Sequence, residues 1–173
     1  IIMRLILALA TILSLVFTQV FAQDFQKGWK ASQIGDYATA MKEFQPLAEL
    51  GDADAQIKLG IMYEYGLGVV KDATNAAKWY LLAAEHGNAS TQYKLGLMYE
   101  EGTGVLQDYA KALKWYQLSA DQGNETAQTL LGLMYEEGNG VLKDNVTAHM
   151  WYNIASANGH ESAGGRRDKV AAL

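Results

Sequence analysis

Glycine returns every 36 residues along this chain, at Gly51, Gly87, Gly123 and Gly159. Other residues keep the same register: Gly60, Gly96 and Gly132; Tyr63, Tyr99 and Tyr135; Asp72, Asp108 and Asp144; and the pairs Trp79-Tyr80, Trp115-Tyr116 and Trp151-Tyr152. A fixed period of this length means one supersecondary unit stacked on copies of itself, because no single unit can bury its apolar face alone. Stacked units build an extended surface more readily than an enclosed pocket.

The contents of one unit specify two helices. Asp52 stands at an N-cap position, taken by Asn88 and Asn124 in the next copies, and all three side chains cap well. Ala55, Leu59, Met62 and Tyr63 follow at helical spacing, with Gly60 among them. A glycine in a helix interior costs about 1 kcal/mol against alanine, so its recurrence predicts a site where two helices touch. Gly66-Leu67-Gly68, repeated as Gly102-Thr103-Gly104 and Gly138-Asn139-Gly140, predicts a left-handed helix stop. Val69 then plugs the loop into the core, Asp72 caps a second helix, and Ala76, Trp79, Tyr80, Ala83 and Ala84 form its buried face. Gly87 closes the unit.

The ends depart from this register. Met3-Arg4, the apolar run Leu5 to Val16 and the small residues closing at Ala22 form a secretory leader pattern, with cleavage expected after Ala22. The apolar run is shorter than the ~20 residues a membrane span requires, so no stable membrane anchor is expected after cleavage. Phe25 and Trp29, the Gly35-Asp36 turn, and Ala40, Phe44, Leu47 and Ala48 read as a shortened helix pair, and His160 to Leu173 as one closing helix. Fourteen Lys and Arg, one of them Arg4, face nineteen Asp and Glu. That diffuse acidity argues against nucleic acid, whose binding depends on basic contacts to phosphate. There is no cysteine, which removes disulfides, thiolate metal sites and a thiol nucleophile.

The run from Ala55 through Leu59-Gly60, Met62-Tyr63-Glu64, Gly66, Gly68-Val69, Asp72, Ala76, Trp79-Tyr80 and Ala83-Ala84 to Gly87 resembles the Sel-1-like repeat, a relative of the tetratricopeptide repeat. The resemblance implies an all-α fold, a right-handed α-solenoid of helix-turn-helix repeats. With the leader pattern over 1–22 and no linker beyond it, the chain reads as a leader and one domain over 23–173. Within that domain the resemblance implies a tetratricopeptide-like unit at 24–50, repeats at 51–86, 87–122 and 123–158, and a capping helix at 159–173. Families of this kind are mostly adaptors, and exported bacterial members are linked to envelope maintenance, polysaccharide systems, signalling or host contact. A cysteine-rich branch staples each unit with a disulfide, and some of its members are reported to handle β-lactams. This chain, without cysteine, falls outside that branch.

In tetratricopeptide-like arrays the first helix of each pair lines the concave face. Carried across on the Leu-Gly-x-x-Tyr anchor, this resemblance places Ile57, Ile61, Glu64 and Tyr65, with Asp54, in the groove of the first full repeat. The second contributes Tyr93, Leu97, Glu100 and Glu101, with Ser90; the third contributes Thr129, Leu133, Glu136 and Glu137, with Thr126. Positions where the copies differ, as at Ile57, Tyr93 and Thr129, suit a surface. The expectation is an apolar floor (Ile61, Leu97, Leu133) beside a carboxylate ridge (Glu64, Glu100, Glu101, Glu136, Glu137) that selects a basic, extended peptide by charge complementarity.

Little else points to chemistry. His86, His149 and His160 lack metal-ligand spacing, so no metal and no cofactor are expected. The Gly-x-Gly loops lie between helices rather than after a strand, which favours turn geometry over nucleotide binding. Adjacent glutamates in a helix diverge by about 100°, a poor arrangement for paired acid and base work. Three sequons begin at Asn88, Asn124 and Asn145, and the first two coincide with cap positions. The sequence reads as a non-enzymatic scaffold exported to a bacterial periplasm, binding a protein or peptide partner. The alternatives are a cell-wall or carbohydrate-associated protein, binding or weakly hydrolysing glycan, and a secreted host-interaction factor.

Overall fold

A computed structural model describes residues 24–172, all of whose regular structure is α-helical. The leader expected over 1–22 lies outside the described residues, as does Leu173. The chain divides into two compact units at Lys71/Asp72.

The first unit contains α1 (residues 24–33), α2 (Tyr37–Glu49) and α3 (Ala53–Tyr65). Its core is Ala31, Ala40, Phe44, Leu47, Ala48, Ala55, Leu59 and Met62. Gly28 of α1 rests against the Phe44 ring: a Cβ added there would lie 2.9 Å from Phe44 Cε1. Phe25 extends this contact, its ring centroid 5.3 Å from that of Phe44. The shortened helix pair expected over 24–50 is present, with Asp36 capping α2 by accepting from the Thr39 N–H at 3.1 Å. The buried Gln56 amide donates to the Ala48 carbonyl at 3.1 Å and ties α3 to the end of α2.

The second unit contains α4 (Ala73–Glu85), α5 (Ala89–Glu101), α6 (Tyr109–Asp121), α7 (Glu125–Glu137), α8 (Asn145–Ala157) and α9 (Glu161–Ala171). Each helix packs on the next in sequence, from α5 on α6 through α8 on α9. The helices from α2 to α8 are all 13 residues long, about 20 Å at 1.5 Å per residue, so successive copies match end to end. Their lengths are set by local chemistry. Asn88, Asp108, Asn124 and Asp144 each accept a backbone N–H at their helix starts, Asn88 from Thr91 at 2.9 Å and Asp108 from Lys111 at 3.0 Å. At the opposite end of α5, Gly102 adopts φ 73°, and its N–H bonds the Met98 carbonyl. That left-handed geometry disfavours a side chain and stops the helix.

The recurrent glycine inside the first helix of the second and third repeats is a contact, as its periodicity predicts. A Cβ at Gly96 would lie 2.6 Å from Tyr116 ring carbons, and one at Gly132 would lie 2.5 Å from Tyr152 Cε1. Tyr116 and Tyr152 are fully buried, so the ring takes the volume the missing side chain leaves. Two buried glutamines repeat the tie seen at Gln56. Gln92 donates to the Ala84 carbonyl at 3.1 Å and Gln128 to the Ala120 carbonyl at 3.0 Å. Their amide oxygens accept from Gln122 at 2.7 Å and Asn158 at 2.9 Å respectively. In the first unit the matching Gln56 oxygen has no partner among the described residues.

Gly132→Ala should lower stability by about 1–3 kcal/mol, since the Tyr152 ring must move. Gly165→Ala on α9, where an added Cβ meets nothing within 4 Å, should be neutral or raise stability by about 0.5–1 kcal/mol. Urea unfolding of the two variants beside the parent reads both. A second outcome concerns pH. Hydrogen bonds from the first turn hold the Asp72, Asp108 and Asp144 carboxyls below the ordinary aspartate value, chiefly from the Asn75 N–H, the Lys111 N–H and the Thr147 side chain. A carboxyl that is more acidic folded than unfolded stabilises the fold at neutral pH. That contribution is lost as pH falls through the ordinary aspartate range to the lowered native value. Asn at these three caps keeps the hydrogen bond without the titration, so the triple Asp→Asn variant should lose less of its urea midpoint between about pH 5 and pH 3.

Candidate functional site

The first helix of each repeat presents some residues to the core and leaves others outward. Leu97 and Leu133 are partly buried, as expected for a floor beside the packing stripe, and Ile57 and Ile61 are likewise partly buried on α3. Tyr65 is 64% exposed at the end of α3. Two of the other positions differ from the sequence reading. Thr129 is buried at 8% exposure, and its hydroxyl donates to the Glu125 carbonyl at 2.9 Å. Tyr93 is partly buried and lies against Tyr116, ring centroids 6.2 Å apart and 29° from parallel. Variation between copies at these positions therefore reflects alternative ways of filling one space as much as surface freedom.

The carboxylate ridge separates into two kinds of residue. Glu100 accepts a hydrogen bond from the Tyr116 hydroxyl, and Glu136 accepts one from the Tyr152 hydroxyl at 2.6 Å. Arg166 of α9 also lies 3.9 Å from Glu136. Burial, then the neighbouring carboxylate, pushes both tyrosine phenols well above their ordinary value, so both stay neutral donors. Glu100 and Glu136 thus fasten the tyrosine that packs on the glycine. The next residues, Glu101 and Glu137, are exposed and make only local contacts, accepting from the Thr103 hydroxyl at 3.3 Å and the Asn139 amide at 2.8 Å. Glu64 is partly buried at the matching place in α3. Of the ridge in the second unit, Glu101 and Glu137 remain available to a partner.

The first unit carries a cleft that the sequence reading did not identify. Gly28 against Phe44 matches Gly96 against Tyr116 and Gly132 against Tyr152, so the residue after it, Trp29, stands at the position of Ile61, Leu97 and Leu133. Trp29 is 38% exposed. Phe25, Gln26 and Trp29 of α1 and Asp54 and Lys58 of α3 line an open cleft of about 330 Å³. Trp29 and Lys58 also line a second hollow of about 200 Å³, whose apolar wall is Phe44, Ile61, Met62 and Leu67. The Lys58 ammonium sits over the Trp29 ring, 4.2 Å from its centroid. Burial lowers the Lys58 pKa, and the nearby Asp54 charge partly opposes that shift. The available signal was the glycine-to-aromatic packing pair, whose spacing in the short N-terminal unit differs from the 36-residue register.

Among the described residues no cluster of His, Cys, Asp and Glu is arranged to hold a metal ion, and no helix is long and apolar enough to cross a membrane.

The Sel1 repeat model matches residues 53–88, 89–124 and 126–160, more than half of the chain. The chain belongs to the Sel1 repeat family. Proteins of this family serve in protein–protein interaction. Among solved structures, a Sel1 repeat protein from Oxalobacter formigenes is 35% identical with a TM-score of 0.74, over 82% of this chain and 58% of that one. The protein c5321, a protective antigen present in uropathogenic Escherichia coli strains and displaying an SLR fold, is 37% identical with a TM-score of 0.77, over 83% of this chain and 32% of that one. The chain therefore spans less than two thirds of the length of either. Helicobacter pylori cysteine rich protein B shares the fold at 22% identity, with a TM-score of 0.58 over 75% of this chain and 93% of that one. No curated protein matches the chain.

Tyr116→Phe should destabilise the chain by about 0.5–2 kcal/mol by leaving the partly buried Glu100 short of a donor. Glu100→Gln should destabilise it too, because the neutral amide oxygen accepts from the Tyr116 hydroxyl more weakly than a carboxylate does. Glu101→Gln should stay within about 0.5 kcal/mol of the parent. Equal urea midpoints for Glu100→Gln and Glu101→Gln would remove the distinction between a fastening and a free glutamate.

Proposed function

We propose that this Sel1 repeat protein is an exported, non-enzymatic scaffold that holds a segment of a partner protein on the outward faces of the first helices of its repeats. The observation that carries the reading is that these helices keep apolar and acidic side chains, among them Trp29, Leu97, Glu101 and Glu137, that the packing between helices leaves partly or wholly exposed. Side chains of this kind, an apolar floor with charges at its margin, provide affinity through burial and selectivity through charge. The leader pattern over 1–22 supports export, with the periplasm as the compartment. A basic, extended partner segment fits Glu101 and Glu137 in the second unit. The similarity to a protein described as a protective antigen favours a second setting for the same faces, outside the cell in contact with a host.

A photoreactive residue placed at Glu101 in living cells, with the same label at Gln45 on α2 as a control, tests the reading. A discrete protein captured from Glu101 alone, identified by mass spectrometry and lost on Glu137→Lys, is the expected result. Equal capture from both positions, or capture of glycan alone, would overturn the scaffold reading, and capture unaffected by Glu137→Lys would remove the basic partner.

A further inference from the structure

We infer that the cleft between α1 and α3 is a separate docking site, in which a large apolar side chain of a partner segment enters the inner hollow while a neighbouring carboxylate of that segment meets Lys58. This rests on the scaffold reading and gives the first unit a partner chemistry opposite in charge to that proposed for Glu101 and Glu137.

Three observations carry it. First, the Lys58 ammonium is partly buried and rests on the Trp29 ring, yet forms no salt bridge with a carboxylate among the described residues. A cation taken partly out of water gains from an aromatic face, but a carboxylate would compensate the lost hydration more fully. Asp54 lines the outer cleft and acts on Lys58 through space without closing on it. Second, the inner hollow offers no other charge. Around Lys58 it is walled by Phe44, Ile61, Met62 and Leu67, with the Ser32 and Tyr37 side chains completing it. The Ser32 hydroxyl is already committed, donating to the Trp29 carbonyl at 2.7 Å. At about 200 Å³ it is smaller than the roughly 300–1,000 Å³ of pockets that enclose small molecules, and suits one anchoring side chain of a longer segment.

Third, Trp29 belongs to both hollows and is 38% exposed. Tryptophan at the centre of a small apolar depression is the residue type that most often dominates interface energy. Its position, one residue after the packing glycine, is also that of the outward floor residues Leu97 and Leu133. The cleft is thus the first unit's version of the face on which the later repeats present their own apolar residues. Lys58 recurs in register as Lys94, but the place that Glu101 and Glu137 hold in the later repeats is taken by Tyr65 in the first.

The test uses the full chain with isotope-labelled tryptophan, whose four indoles report separately, the Trp29 signal being assigned with Trp29→Phe. Two pools of short synthetic peptides are titrated. In one, a central Phe, Leu or Trp is flanked by Asp or Glu; in the other, Lys replaces every acidic residue. The acidic pool should shift the Trp29 indole saturably while the Trp115 and Trp151 signals stay in place. Lys58→Glu should weaken binding by about tenfold or more, and Lys58→Arg should retain it. Unmoved Trp115 and Trp151 signals in the variants show that the fold is intact. No saturable shift at Trp29, an equal shift from the lysine pool, or unchanged affinity in Lys58→Glu would overturn the inference. A saturable shift with chitotriose and none with peptide would overturn it in favour of glycan. Capture at Glu101 with a silent Trp29 would sink this inference and leave the scaffold reading standing; the converse would restrict that reading to the first unit.

Discussion

A tyrosine ring packed on a glycine holds together the two helices of the second repeat and of the third. At Gly96 and Gly132 the absent side chain lets the ring of Tyr116 or Tyr152 approach to a distance no Cβ would permit. Burying so large a ring gains burial energy only if its hydroxyl also finds a partner. Glu100 and Glu136 provide that partner, four residues on from each glycine and on the same side of the same helix. Three recurrent residue types therefore answer to one contact: glycine for approach, tyrosine for volume, and glutamate for the hydroxyl. Buried glutamines do the complementary task toward the preceding helix, bonding carbonyls of its last turn that also accept the N–H three residues on.

This explains which parts of the fold were legible in the sequence. Helix starts and stops were readable because each rests on a residue with one local job, Asp108 as an acceptor or Gly102 in a left-handed turn. The helix contact at the interior glycine was readable because a glycine in that place is costly unless something occupies the space. The tyrosine-to-glutamate bond was not readable, although both residues recur. Recurrence alone does not distinguish a glutamate kept for a hydroxyl from one kept by common ancestry, and only the fold brings residues 16 apart together. Gln92 and Gln128 were missed for a related reason: a polar residue on a helix reads as solvated until its amide is placed against a buried carbonyl.

The candidate site was legible at the level of the helix face and not of the individual residue. Assigning Glu100, Glu101, Glu136 and Glu137 to one ridge treated neighbours as equivalent. In a helix they differ by about 100°, enough to send Glu100 to Tyr116 and leave Glu101 in water. Thr129 shows the same limit from the opposite side, since a position that varies among copies is nonetheless buried. Trp29 escaped because the short N-terminal unit breaks the register, so no residue of equal spacing marked it. Its equivalence to Leu97 and Leu133 became visible only through what the preceding glycine touches.

The same geometry constrains how such a chain acquires specificity. A first helix shared between the core and a partner has packing residues and outward residues within one turn of each other, so most of its surface cannot vary without cost. In the second unit, Tyr93 lies against Tyr116 and Thr129 bonds its own helix, leaving mainly the positions of Leu97 and Leu133 and the last glutamate of the helix free to change. The first unit is less restricted. Its smaller glycine contact, with Phe44 in place of a tyrosine, has no hydroxyl to satisfy and needs no fastening carboxylate. With that demand absent at α1, the first unit carries Trp29 beside a lysine of α3 that closes no salt bridge among the described residues. Distinctive recognition is expected where the repeat is least faithful to itself, because there the demands of stacking are weakest.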